Sequence, residues 1–140
     1  MDGYKHIEKC IGRHIAAGYA RAVEIGIGRN TDAAEIVAGA GRLLRSTDVR
    51  TMPVPEHLAF SVDDIFSPDI SLFQGADVLY AIRPAIEMIP PLIALAQEIN
   101  ADLVVYHLGF ESYGNGGETI DCGVTLHRYH KRQNPSKRVD

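Results

Sequence analysis

The sequence lacks a long apolar run and has few cysteines. Its most apolar stretch, residues 86–96, is interrupted by a glutamate and two prolines, so it is too short to span a bilayer. The first residues lack the apolar segment of a secretory signal peptide. Cys10 and Cys122 have no CxxC spacing, which predicts reduced thiols rather than a disulfide scaffold. We therefore expect a cytoplasmic protein without a membrane segment.

An excess of basic residues is also absent, which argues against general nucleic-acid binding. The formal net charge is -4 and the isoelectric point is near 5.8, whereas nucleic-acid-binding domains carry a basic footprint. Four cations nevertheless crowd the last ten residues, namely Lys131, Arg132, Lys137 and Arg138. We predict one domain over residues 1–130 and a basic, disordered tail over 131–140, the only part suited to phosphates.

The remaining sequence alternates between helical and extended patterns. Residues 4–17 place Ile7, Cys10, Ile11 and Ile15 on one helical face. Asp32 and Glu35 fit a capping box for a second, short helix. Prolines 90 and 91 suit the first turn of a third helix. Strands are predicted at 20–25, 42–48, 58–62, 76–82, 101–107 and 119–129, with a flexible glycine-rich loop at 114–117.

This alternation predicts the fold class and the place of a ligand site. Strands that alternate with helices form an α/β domain, here one Rossmann-like domain with a mostly parallel sheet of five to six strands and helices on both faces. Right-handed crossovers bring the carboxyl ends of the strands to one edge of the sheet. Ligands of open α/β sheets bind outside those ends, where the strand order reverses.

A glycine loop follows the first predicted strand and is the first candidate for cofactor binding. Gly26 and Gly28 allow a tight turn and close approach of a ligand to the backbone, although a plain tight turn would explain them too. The dinucleotide fingerprint needs a third glycine where Thr31 stands. The loop of S-adenosylmethionine-dependent methyltransferases resembles (E/D)xGxGxG, which Glu24, Gly26 and Gly28 match and in which Asn30 replaces the last glycine.

Acidic residues end the next two strands. Asp48 follows Gly28 by twenty residues, and an acid at that position can accept hydrogen bonds from ribose hydroxyls. Asp63 and Asp64 end the third strand, where methyltransferase-like folds bind the adenine amino group. The alternative for all three is a solvated carboxylate at a strand end. They complete a predicted cofactor set of Glu24, Gly26, Gly28, Asn30, Asp48, Asp63 and Asp64.

No established catalytic motif accompanies this set. The sequence contains no GxSxG, no P-loop lysine motif and no HExxH. Arg83, after the fourth strand, suits an anionic group on a substrate or an ion pair with Glu87. Glu111, after the fifth strand, is a general base if desolvated and is otherwise simply exposed. Arg83 and Glu111 are the two catalytic candidates.

The histidines do not indicate a metal site. Cys122, His127 and His130 lack the paired spacing of zinc ligands, so we predict no metal. His107 ends the fifth strand near the expected cleft and is either an acid or base or, as we favour, a packed histidine.

Several segments taken in order resemble one known family. They are Ala22–Gly28, Ser46–Asp48, Val62–Pro68, Gly75–Pro84 and Ala101–Val105. Together they resemble an uncharacterised archaeal protein family, numbered 0146 among families of unknown function, over residues 5–129. That family resembles a shortened methyltransferase-like Rossmann fold, so the resemblance implies this fold and relatedness to S-adenosylmethionine-dependent methyltransferases.

The functional expectation is a protein that binds S-adenosylmethionine or a related adenosine-containing ligand, with methyl transfer as the candidate activity. A non-catalytic nucleotide-binding or regulatory module is a second reading. A NAD-dependent oxidoreductase is a third, disfavoured by Glu24 and Thr31. A homodimer is compatible with the sequence.

Overall fold

Helices and strands alternate along residues 3–133, the part of the chain that the computed structural model describes. The helices are α1 (Gly3–Gly18), α2 (Asp32–Gly39) and α3 (Ile89–Ile99). The strands are β1 (Ala22–Ile25), β2 (Leu43–Asp48), β3 (Phe60–Val62), β4 (Val78–Ile82), β5 (Asp102–Tyr106), β6 (Glu118–Asp121) and β7 (Thr125–His130). Short 3₁₀ turns occupy Glu56–Leu58, Ile70–Phe73 and Ile86–Met88.

All seven strands form one sheet in the order β3-β2-β1-β4-β5-β7-β6. The first five in that order pair in parallel, and β7 pairs antiparallel with both β5 and β6. The order β3-β2-β1-β4-β5 is that of Rossmann-like sheets, so the predicted fold class is confirmed.

The predicted count of five to six strands is wrong, because the segment 119–129 forms a hairpin and not one strand. A turn at Cys122 and Gly123 separates β6 from β7. Gly123 has a φ of +103°, which favours glycine, and its amide donates to Asp121 Oδ1 at 3.0 Å. Residues with strand propensity flank this turn on both sides, so the pattern alone does not reveal the break.

Helices cover both faces of the sheet, as predicted. The apolar side of α1 packs with α2 over one face through Ile11, Ile15 and Val37, while α3 packs over the other face through Leu92 and Leu95. Gly12 allows α1 and α2 to approach closely, since a Cβ added there would lie 2.9 Å from the Ala33 carbonyl oxygen.

The order of the sheet reverses between β1 and β4. From β1 the chain first adds β2 and β3 on one side, and then adds β4 and β5 on the other. The loops after β1 and β4 therefore diverge and leave a crevice at the carboxyl edge of the sheet. This crevice holds the candidate site.

The chain beyond β7 is described for three residues. The Arg132 amide donates to Asp102 Oδ1 at 2.7 Å, and Gln133 exchanges hydrogen bonds with Asn100. The rest of the predicted disordered tail, from residue 134, lies outside the described residues. Among residues 3–133, no helix is long and apolar enough to cross a membrane.

Candidate functional site

A cavity of about 450 Å³ lies at the carboxyl ends of β1 to β4. It coincides with the reversal of strand order, where a ligand site is expected. Five of the residues predicted from the sequence line it, namely Gly26, Asp48, Asp63, Asp64 and Arg83. The other lining residues are Ile25, Thr47, Val49, Ile65, Phe66, Ile82, Pro84, Ala85 and Met88.

The glycine loop and Asp48 are joined by a hydrogen bond. Gly26 and Gly28 have φ angles of +74° and +60°, the left-handed region in which glycine is favoured. The Gly28 amide donates to Asp48 Oδ2 at 2.9 Å, and the Arg50 amide donates to Asp48 Oδ1 at 3.3 Å. Asp48 therefore holds the loop while its carboxylate lines the cavity.

Asp63 and Asp64 lie across the cavity from the glycine loop. Each uses Oδ1 to accept a backbone amide, from Asp69 for Asp63 and from Phe66 for Asp64, both at 3.0 Å. Burial raises the pKa of Asp63; the Asp69 and Asp64 amides oppose the shift, and the charges of the Asp69 and Asp64 carboxylates add to it.

Glu24 lies in the centre of β1 and does not line the cavity. It is fully buried, and Tyr80 on β4 donates its hydroxyl hydrogen to Glu24 Oε1 at 2.9 Å. Burial raises the pKa of Glu24 to about 8; the Tyr80 hydrogen bond opposes the shift and the Glu8 charge adds to it. A protonated carboxyl at neutral pH follows from this environment.

Arg83 lines the cavity and has a strained backbone conformation. Its φ is +55°, and its amide donates to the Tyr106 carbonyl at 2.6 Å. Its guanidinium lies 5.3 Å from the centre of the Tyr106 ring and donates to Glu8 Oε2 at 2.5 Å. The predicted pair with Glu87 is therefore replaced by a pair with Glu8 on α1. Glu8 is buried, and its Oε1 has no hydrogen-bond partner among the described residues.

Like Glu24, the predicted site residues Gly28, Asn30 and Glu111 do not line the first cavity. Asn30 is exposed, and its Oδ1 accepts the Asp32 amide at 2.9 Å. This bond precedes α2 and replaces the predicted cap by Asp32, which is the first residue of the helix. Glu111 is exposed and lines a second cavity of about 520 Å³ beyond β5, together with His107 and His127. No group of three or more metal-ligating side chains occurs within residues 3–133.

Sequence reasoning missed the apolar wall of the first cavity. Val49, Ile65 and Phe66 are neighbours of the predicted acids, and Val49 and Phe66 are 60% and 59% exposed. Large apolar side chains directly beside strand-end acids were the available signal. Glu8 gave no such signal, since its partner is 75 residues away.

The chain matches one family model and several archaeal proteins. The model is described as "Uncharacterised protein family (UPF0146)" and matches residues 7–116. A UPF0146 protein of Archaeoglobus fulgidus is 34% identical over 96 residues, which cover 68% of this chain and 74% of the relative. A UPF0146 protein of Pyrococcus horikoshii is 28% identical over 128 residues, 88% of this chain and 96% of the relative.

Solved structures are similar to this chain at low sequence identity. One is a chain of the complex between the Haloferax volcanii Trm112 methyltransferase activator and the putative methyltransferase, with a TM-score of 0.47, 14% identity and coverage of 74% of this chain. This chain spans only 54% of that one. Another is a putative methylase from Haemophilus influenzae, with a TM-score of 0.43, 10% identity and coverage of 87% and 85%.

Proposed function

This chain belongs to the uncharacterised protein family UPF0146, and we propose that it binds S-adenosylmethionine in the cavity at the carboxyl ends of β1 to β4 and acts as a small methyltransferase. The observation that carries the proposal is the set of charges on that cavity. Three carboxylates, Asp48, Asp63 and Asp64, line it together with one guanidinium, Arg83, which is itself paired with Glu8.

A cavity with this balance favours a cationic ligand. S-adenosylmethionine carries a sulfonium and an ammonium against one carboxylate, so its net charge is positive. Opposite charges attract most strongly where water is partly excluded. Asp48 at the end of β2 is suited to accept the ribose hydroxyls. Asp63 or Asp64 is suited to accept a hydrogen bond from the adenine amino group beside the apolar Ile65 and Phe66.

The start of α2 disfavours the dinucleotide alternative. Phosphates bind at helix N-termini through free amides and the positive end of the helix dipole. Here the Asp32 amide is used by Asn30 Oδ1, and the first turn contains the acids Asp32 and Glu35. Both features weaken a phosphate site at this helix and so disfavour NAD and ATP.

Calorimetric titration of the whole chain tests the proposal. We expect S-adenosylmethionine and S-adenosylhomocysteine to bind with micromolar affinity, and NAD and ATP to bind at least about 10-fold more weakly, about 1.4 kcal/mol. Equal or tighter binding of ATP would support the nucleotide-binding module. Absence of heat with both adenosyl ligands would refute the proposal.

Asp48→Asn should weaken S-adenosylmethionine binding about 10-fold, because a hydrogen bond to a charged acceptor is worth roughly 1.5–3 kcal/mol. The asparagine oxygen can still accept the Gly28 amide, but the side-chain NH2 cannot accept the longer bond from the Arg50 amide, so thermal stability should fall slightly. The matched control is Asp121→Asn, which lies on β6 away from the cavity. Calorimetry of both variants checks this prediction, and equal affinities would remove the ribose role from Asp48.

A further inference from the structure

The second cavity lies beside the first at the same edge of the sheet. It follows β5, and Tyr106 at its base is the register partner of Ile82, which lines the first cavity. Arg83, which lines the first cavity, contacts the ring of Tyr106, which lines the second. A ligand in the second cavity would therefore lie one strand away from a ligand in the first.

The second cavity contains a histidine with a defined tautomer. His127 Nδ1 lies 2.7 Å from the Gly116 carbonyl oxygen, which can only accept a hydrogen bond, so Nδ1 carries the hydrogen. In the neutral ring Nε2 is then an acceptor. His127 lines the cavity whereas Gly116, the partner of Nδ1, does not.

The glycine-rich loop 114–117 is built to hold this histidine. Gly116 is buried with a φ of +84°, and a Cβ added there would lie 3.4 Å from His127 Nδ1. A Cβ on Gly117 would lie 2.6 Å from the Arg128 carbonyl oxygen. The loop that the sequence predicts to be flexible therefore packs against β7 and fixes the orientation of the imidazole.

Aromatic rings surround His127. Tyr129 stacks on it with ring centres 6.0 Å apart and planes at 14°, and His107 meets it edge-on at 5.0 Å. His107 Nε2 and the Tyr129 hydroxyl are 2.6 Å apart, and the Tyr113 amide donates to that hydroxyl at 2.9 Å. His107 is only 4% exposed, and its Nδ1 has no hydrogen-bond partner among the described residues. Phe110 is fully exposed at the rim.

We propose that this second cavity binds an uncharged planar ring carrying a phenolic hydroxyl, which donates its hydrogen to His127 Nε2. The aromatic walls of Tyr106, His107 and Phe110 favour a planar ring. An acceptor at Nε2 requires a donor on the ligand. The one acidic or basic residue that lines the cavity besides its histidines is Glu111, which repels carboxylates and phosphates.

The site gains a chemical role that rests on the proposed function. With S-adenosylmethionine in the first cavity, the phenolic oxygen attacks the methyl carbon and forms the new C–O bond. The C–S bond breaks, and its electron pair goes to the sulfur, which leaves as the thioether of S-adenosylhomocysteine. The hydroxyl proton passes to His127 Nε2.

A pair of ring compounds tests the site without any cofactor. 2-Naphthol donates a hydrogen bond, whereas 2-methoxynaphthalene has nearly the same shape and does not. We expect 2-naphthol to bind the wild-type chain about 5- to 10-fold more tightly, as one hydrogen bond allows. It should also shift the His127 ring resonances in long-range ¹H–¹⁵N spectra. Equal affinities, or unchanged His127 resonances, would overturn the proposal.

His127→Asn sharpens this test. The asparagine amide can still donate to the Gly116 carbonyl, but Nε2 is removed. The preference for 2-naphthol should fall to within about 2-fold, whereas His57→Asn, at the exposed pair with Glu35, should keep it. A preference that survives in His127→Asn would overturn the proposal, and the wild-type comparison decides the matter if the variant does not fold.

Methyl transfer to 2-naphthol separates this inference from the proposed function. We expect 2-methoxynaphthalene as the product, and a rate about 100-fold lower in His127→Asn with unchanged affinity for S-adenosylmethionine. If 2-naphthol binds with the expected preference but no adenosyl ligand binds, the proposed function fails and the ring site stands. If the adenosyl ligands bind and 2-naphthol shows no preference, the ring site fails alone.

Discussion

Raising the pH from about 5 to about 8 should lower the free energy of unfolding of the wild-type protein by a few kcal/mol. The free energy of unfolding of Glu24→Gln should not show this decrease. Burial raises the pKa of Glu24 from the ordinary 4.5 to about 8 in the folded chain. Between these values the folded chain keeps a proton that the unfolded chain releases. Each increase in pH within this window therefore favours unfolding.

Urea unfolding at several pH values, followed by circular dichroism, measures the difference. The glutamine oxygen can still accept the Tyr80 hydroxyl, so both chains should have similar stability near pH 5 and diverge towards pH 8. The groups that face this carboxyl are Tyr80 and Glu8. Glu98→Gln, at an exposed position of α3, is the control and should follow the wild type. If the free energies of unfolding of wild type and Glu24→Gln changed in parallel with pH, Glu24 would ionise in the folded chain as it does in water.

Gly117→Ala should destabilise the fold by about 3 kcal/mol. Roughly 1–2 kcal/mol comes from placing alanine at a φ of +64°, and the remainder comes from overpacking. The new Cβ would lie 2.6 Å from the Arg128 carbonyl oxygen, which belongs to the backbone of β7 and cannot turn aside as a side chain can. Denaturant unfolding measures the loss.

Gly114→Ala is the matched control for this substitution. Gly114 has a similar φ of +58°, but a Cβ added there meets nothing within 4 Å. It should therefore lose only the backbone contribution, about 1–2 kcal/mol. The difference between the two variants isolates the close approach of the loop to β7. An equal loss of stability in both variants would mean that the loop does not pack closely against β7.

The sequence pattern was sufficient for most of the fold and for much of the candidate site. Parallel strands bring their carboxyl ends together, so residues after separate strands could be grouped without coordinates. Gly26, Asp48, Asp63, Asp64 and Arg83 all line one cavity for this reason. Strand boundaries differ by only one or two residues in most elements, because apolar runs bounded by turn residues define them.

Other features depend on contacts that no local pattern contains. The position of Glu24 before the glycine loop predicts a ligand residue, yet Glu24 is buried and accepts a hydrogen bond from Tyr80 on the neighbouring strand. The partner of Arg83 comes from α1. The role of loop 114–117 becomes visible only when β7 packs against it, because glycines that permit close contact and glycines that permit motion look identical in a sequence. Cofactor identity, catalysis, a homodimer and cytoplasmic location stay predictions.

An NMR titration with S-adenosylmethionine tests the central claim most directly. In ¹H–¹⁵N spectra of the labelled chain, saturable shifts should concentrate on the amides of Gly26, Val49, Ile65 and Arg83, around the first cavity. The resonances of amides near the amino ends of the strands, such as those of Asp77 and Asp102, should not shift. Saturable shifts confined to other regions, or spectra unchanged at millimolar ligand, would contradict the assignment of this cavity as the cofactor site.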